Sequence, residues 1–253
     1  MRLGAVTYNV LKDFDADRII RTLSECGYEA VELRTGHKHG VEPALGAAER
    51  EAIGQKFRAS RVRLLSFGTT CEFQSPDPAV RAANVATAKQ FIDLAHDTGA
   101  LAIKVRPNGL PAGVAPETTA RTIGAHLAEL GEEGSRKGVE IWMEVHGRDT
   151  QNPPMAATIM RAARHKNVGL CWNSNPTDVA NGGVRQSFEL LRPWIRNCHI
   201  NELTSGYPYR ELFALLRKSG YDRYTLCEAA ASPEPERFLR YYRALWMELN
   251  REC

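Results

Sequence analysis

Four polar residues stand where hydrophobic runs end: Glu144 in VEIWMEVHG, Asn173 in VGLCWNSN, His199 in IRNCHINEL and Glu228 in YTLCEAA. Two carboxylates, an imidazole and an amide are the oxygen and nitrogen donors that hold a divalent cation. Their separations are 29, 26 and 29 residues, each close to one strand-helix unit of a (β/α)₈ barrel. Parallel strands in such a barrel all point one way, so residues at equivalent strand ends converge on one mouth. A lone strand-end histidine reads as a satisfied core residue, but four donors at four consecutive unit ends are hard to produce by packing.

The elements needed to position these residues are legible along the chain. Eight strand-like runs, rich in Val, Ile, Leu and aromatic residues, fall at 3–9, 30–34, 62–68, 100–107, 139–145, 168–173, 195–202 and 224–229. Between them lie amphipathic patterns such as DADRIIRTLSECG and PETTARTIGAHLAELGEEGSRKG. Gly27, Gly99, Gly138 and Gly220 follow helix ends, and Pro116, Pro154 and Pro233 fit helix first turns. The alternation predicts an α/β fold, one TIM-barrel domain over 1–253. An open doubly wound sheet is disfavoured because Thr7-Tyr8-Asn9-Val10, and no glycine-rich phosphate loop, follows the first strand.

Strand alternation then sorts the side chains. Glu32 and Arg34 share the inward face of the second strand, Lys104 and Arg106 that of the fourth, and Trp142, Glu144 and His146 that of the fifth. Leu101, Ile103 and Val105 fall on the outer face of the fourth. Cys171, Asn197 and Leu226 lie beneath Asn173, His199 and Glu228. Buried charges of this kind need partners. Glu32, Arg34 and Lys104 suit an internal salt bridge and a substrate contact equally well. His37 and His39 in RTGHKHG suit both the mouth and an exposed loop. His96, His126 and His165 are expected to face solvent, and Trp142 and Trp172 to fill the barrel.

Bulk composition narrows the partners. The 253 residues carry 33 Lys+Arg against 30 Asp+Glu, with 43% hydrophobic content, and no run of one sign suggests a nucleic-acid tail. A small-molecule partner is expected. Six cysteines (Cys26, Cys71, Cys171, Cys198, Cys227, Cys253) show no paired spacing and read as reduced. No stretch approaches a membrane span, and MRLGAVTYNV enters a strand at once, so a cytoplasmic location is expected. Surface helices are compatible with a homo-oligomer.

At these residues the chain resembles the xylose isomerase-like barrels, which include hydroxypyruvate isomerases, ketose 3-epimerases, inosose dehydratases and endonuclease IV. The resemblance runs from LGAVTYN through GYEAVELR, VEIWMEVHG, VGLCWNSN, IRNCHINEL and YTLCEAA to RFLRYYRALW. It implies that Glu144 and Glu228 are metal-binding glutamates and an acid/base pair, that His199 is a ligand, and that His146 lies near the substrate. GYEAVELR resembles the family's second-strand motif and brings in Glu32. The sixth strand departs from the pattern: Trp172-Asn173-Ser174-Asn175-Pro176 stands where an Asp and a Thr-Gly-His-like turn are usual. Asn173 would ligate through its carbonyl at the loss of one negative charge, and Asn175 would stand in for the turn histidine. Arg210 is a loose match to a family arginine.

The expected activity is therefore that of a metal-dependent isomerase or epimerase of a small sugar, sugar phosphate or keto-acid. One divalent ion, Mn²⁺, Mg²⁺, Co²⁺ or Zn²⁺, would stabilise an enediolate formed by proton abstraction beside a carbonyl. A lyase of the dehydratase or 3-keto-glycoside eliminase type uses the same parts, and Asn173 keeps open a non-catalytic sugar-binding barrel. An endonuclease IV-like enzyme needs further histidines where the chain reads SFGTT, KVRPN and NSNP, and a basic stripe it lacks.

Overall fold

The computed structural model describes residues 1–180 and 182–251; Cys253 lies outside them. Eight parallel strands, β1 (Arg2–Val6), β2 (Ala30–Arg34), β3 (Arg63–Gly68), β4 (Ala102–Val105), β5 (Glu140–Glu144), β6 (Val168–Asn173), β7 (Ile195–Ile200) and β8 (Tyr224–Cys227), close in sequence order into a barrel. Helices follow the strands as α1 (Ala16–Glu25), α2 (Ala47–Arg58), α3 (Pro78–Thr98), α4 (Pro116–Lys137), α5 (Pro153–Ala163), α6 (Val184–Leu191), α7 (Tyr209–Lys218) and α8 (Pro235–Leu249). The fold is the (β/α)₈ barrel that the periodicity predicts. β1 stops short of its predicted end because Thr7 to Asn9 turn into the loop. No helix among the described residues is long and apolar enough to cross a membrane.

Two apolar layers hold the barrel. The inner one contains Val6, Ala30, Leu65, Ala102, Trp142, Cys171 and Leu226. The outer one joins strand residues such as Val31, Leu33, Ile103, Val105, Ile141 and Met143 to the helices, as alternation requires. Leu101 differs: it precedes β4 and packs on the inner layer. Trp142 plugs the interior and its indole N–H donates to Glu140 Oε2 at 2.7 Å. Trp172 lies in the outer layer against Phe188.

Two irregularities set the register of the site. β2 and β3 slip between Val31 and Glu32, so that Glu32 faces Ser66 and Leu65 is the extra residue. β6 and β7 slip between Leu170 and Cys171, which sets His199 opposite Asn173.

Helix punctuation follows backbone chemistry. Gly99 and Gly138 are left-handed caps, with φ of 78° and 69°. Pro116 opens α4, and Pro154 lies in the first turn of α5. Pro233 does not open α8; Pro235 does. Among the helix-associated histidines His96 is exposed, whereas His126 and His165 are half-buried, His165 accepting the Asn167 N–H.

Candidate metal centre and its cavity

The C-terminal ends of β5 to β8 deliver the donors. Glu144 and Asn173 are the last residues of β5 and β6, His199 lies one residue inside the end of β7, and Glu228 follows β8 directly. Glu144, His199 and Glu228 each offer a ligand atom within 4.8 Å of the others. His199 Nδ1 lies 3.5 Å from Glu144 Oε1 and 3.3 Å from Glu228 Oε2. Asn173 Nδ2 donates to Glu144 Oε1 at 3.2 Å, leaving Asn173 Oδ1 buried without a hydrogen bond. Both ring nitrogens of His199 are also buried and without one. An unsatisfied buried polar atom costs about 1–3 kcal/mol. Two carboxylates, an imidazole and an amide oxygen fit a divalent cation, which would satisfy Asn173 Oδ1 and His199 Nδ1.

Glu32 supports this group from below. It is fully buried, and its Oε1 lies 3.3 Å from His199 Nε2 while Oε2 accepts from Ser66 Oγ at 2.8 Å. Gly68 leaves room for that carboxylate: a Cβ there would come within 2.6 Å of Glu32 Oε1. A carboxylate behind a ligating imidazole fixes the ring's orientation.

Charge within the cluster is balanced by Lys104, whose Nζ stands 2.6 Å from Glu144 Oε2. Burial would raise the Glu144 pKa, but Lys104, then His199, outweigh it and hold the carboxyl well below its ordinary value. Glu32 is likewise lowered, with His199, Lys104 and Ser66 overcoming its burial. Burial would lower Lys104 and His199; the surrounding carboxylates raise Lys104, and Cys171 with Glu228 and Glu32 raises His199 well above the usual imidazole value.

Above the donors opens a cavity of about 420 Å³. Glu32, Arg34, Lys104, Arg106, Glu144, His146, Asn173 and Glu228 all border it, so most residues singled out from the sequence come together. Four others lie elsewhere. Asn175 does not border the cavity: its side chain donates to Val145 O at 2.7 Å and its N–H to Asp178 Oδ2 at 2.9 Å. Arg210 reaches Glu248 on α8. His39 is buried and bonds the Arg34 carbonyl at 2.8 Å, while His37 bonds Thr7 Oγ1 at 2.9 Å. Sequence reading missed Tyr8, Asn9, Asn201 and Glu202, which also line the cavity. Each follows a strand in the direction of the mouth, which was the available signal.

A closed parallel barrel with carboxylates and a histidine gathered at its C-terminal mouth defines the class. Residues 20–245 match the family model of the xylose isomerase-like TIM barrel, and the chain belongs to that family. No curated protein sequence matches it. Solved structures that share the fold include D-psicose 3-epimerase from Clostridium cellulolyticum H10, with a TM-score of 0.85, 12% identity and all of both chains covered. The IOLI protein with a bound zinc atom aligns with a TM-score of 0.80 and 15% identity, over 98% of this chain and 96% of that one. The probable 3-DHS dehydratase AsbF from Bacillus anthracis aligns at 0.76 and 15%, over all of both chains. At these identities the likeness is one of fold.

Proposed function

We propose that this protein is a divalent-metal-dependent isomerase or epimerase of a small sugar, sugar phosphate or keto-acid, acting by proton abstraction beside a carbonyl. The observation that carries the reading is the gathering of Glu144, His199 and Glu228 within 4.8 Å, with Glu144 and Glu228 bordering the cavity. Neighbours of the same fold named as sugar epimerases, and one with a bound zinc atom, support it.

A divalent cation held by Glu144, Asn173, His199 and Glu228 would supply an electrophile for the negative charge that develops beside the reacting carbon. Mn²⁺, Mg²⁺, Co²⁺ and Zn²⁺ all suit such a donor set. The chain's own part is proton transfer. Glu144 and Glu228 are the acid/base pair, one taking the proton from carbon and the other returning one. Lys104 keeps Glu144 ionised, and Asn173 fixes its orientation. His146 borders the same space and is the residue proposed to lie near the substrate.

Incubating the manganese-supplemented protein with ketoses, inososes and keto-acids in D₂O tests this directly. Deuterium at carbon in recovered substrate or an isomeric product supports the proposal. An unsaturated product makes the protein a lyase. No exchange and no product with any of them makes it a non-catalytic barrel.

A further inference from the structure

We propose that the cavity takes a substrate bearing a terminal acid group, phosphate or carboxylate, and that Arg34 holds that group. This deepens the reading of the cavity as a sugar isomerase or epimerase site and rests on it.

Three cationic side chains border the cavity, Arg34, Lys104 and Arg106, and the structure separates their roles. Lys104 is committed to Glu144 at 2.6 Å. Arg106 is committed to Glu72, its Nε and Nη2 each 3.1 Å from Oε1, and Asn108 donates to the same oxygen at 2.7 Å. Arg34 makes no ion pair among the described residues. Its Nη1 donates to the Thr35 carbonyl at 3.1 Å, and the guanidinium lies 5.4 Å from the centre of the Tyr8 ring, leaving donors of the fork for a ligand.

The backbone of Arg34 is held on both sides. Its N–H donates to Thr7 Oγ1 at 2.9 Å, and its carbonyl is bonded by His39 Nε2 at 2.8 Å. His39 in turn accepts the Val41 N–H at 3.0 Å, and His37 bonds Thr7 Oγ1. The His37 ring is stacked with that of Tyr8 at 6.3 Å, and burial and Arg34 push its pKa down to about 4, so it adds no competing positive charge at neutral pH. The two histidines after β2 thus brace the strand end that carries Arg34. The planar guanidinium fork matches a phosphate or carboxylate with paired hydrogen bonds.

Placement gives the substrate its direction. Arg34 follows Glu32 by two residues on one strand, about 7 Å nearer the mouth, while Glu32 touches His199 at the level of the metal donors. Across the cavity, after β7, stand Asn201 and Glu202, which suit hydroxyl groups. The acid group therefore lies several bonds from the carbon between Glu144 and Glu228, on the β1–β2 side.

The test is calorimetric binding of D-fructose, D-fructose 6-phosphate and 5-keto-D-gluconate to the full chain, with and without Mn²⁺. At least one acid-bearing probe should bind about ten- to a hundredfold more tightly than D-fructose, the two probes distinguishing phosphate from carboxylate. In Arg34→Gln that ratio should fall to about one, and Mn²⁺ should not restore it. Equal binding of all three probes to the unsubstituted protein, or a preference that survives Arg34→Gln, overturns the assignment. Because binding and not turnover is read, these outcomes are independent of the deuterium-exchange result.

Discussion

The Lys104 ammonium lies 2.6 Å from Glu144 Oε2, and the two side chains are only 7% and 4% exposed. Lys104 thus occupies one oxygen of a carboxylate whose other oxygen faces His199 and Asn173. Removing one partner of a buried ion pair costs about 3–5 kcal/mol, because the other charge is left uncompensated. Lys104→Met should therefore lower the metal-free melting temperature sharply. A cation can then supply the lost compensation, so added Mn²⁺ should raise the variant's melting temperature more than that of the wild type. An equal or smaller shift would mean that Lys104 and the metal donors are independent.

Asn173 brings an amide beside the Glu144 carboxylate. In Asn173→Asp the hydrogen bond to Glu144 becomes a repulsion between two acids, costing about 1–3 kcal/mol without metal. The added charge should tighten Mn²⁺ binding by about tenfold or more, read by calorimetry at fixed ionic strength. Unchanged affinity would remove Asn173 from the donor set.

Gly68 borders Glu32 so closely that any side chain must displace it. Gly68→Ala is expected to cost about 1–3 kcal/mol through overpacking. It should also weaken Mn²⁺ binding about tenfold or more, since His199 loses the carboxylate behind it. A variant that is destabilised but binds Mn²⁺ normally would show that Glu32 only fills space.

Asp178, buried in the turn after β6, accepts from the Asn175 N–H at 2.9 Å and the Tyr207 hydroxyl at 2.8 Å. Burial pushes its carboxyl from 3.8 up to about 7 against those two hydrogen bonds. Between these values the folded chain holds the proton more tightly than the unfolded chain, so this group's contribution to stability falls as pH rises and levels off above about pH 7. Asp178→Asn removes that slope. Melting curves should show its advantage over wild type widening from about pH 4 to pH 7, toward roughly 2–4 kcal/mol, and constant above. A gap independent of pH would contradict the assignment.

What was legible in the chain was what repeats. Glu144, Asn173, His199 and Glu228 recur with the strand-helix period, and a parallel barrel turns that period into convergence. Alternation also placed Lys104 and Arg106 inward, yet it could not show that Glu72, from the loop after β3, neutralises Arg106. Such pairings depend on loop paths, which carry no period. The same holds for Asn175, drawn away by Val145 and Asp178. The slip between Val31 and Glu32, which sets Glu32 opposite Ser66 and within reach of His199, leaves no mark in a hydrophobic pattern.

The most direct measurement is anomalous diffraction at the manganese edge from crystals soaked in Mn²⁺. The account requires one strong peak, at about 2.0–2.4 Å from oxygens of Glu144, Asn173 and Glu228 and from His199 Nδ1. A fully soaked crystal with no peak there, or with the ion bound elsewhere in the barrel, would contradict it.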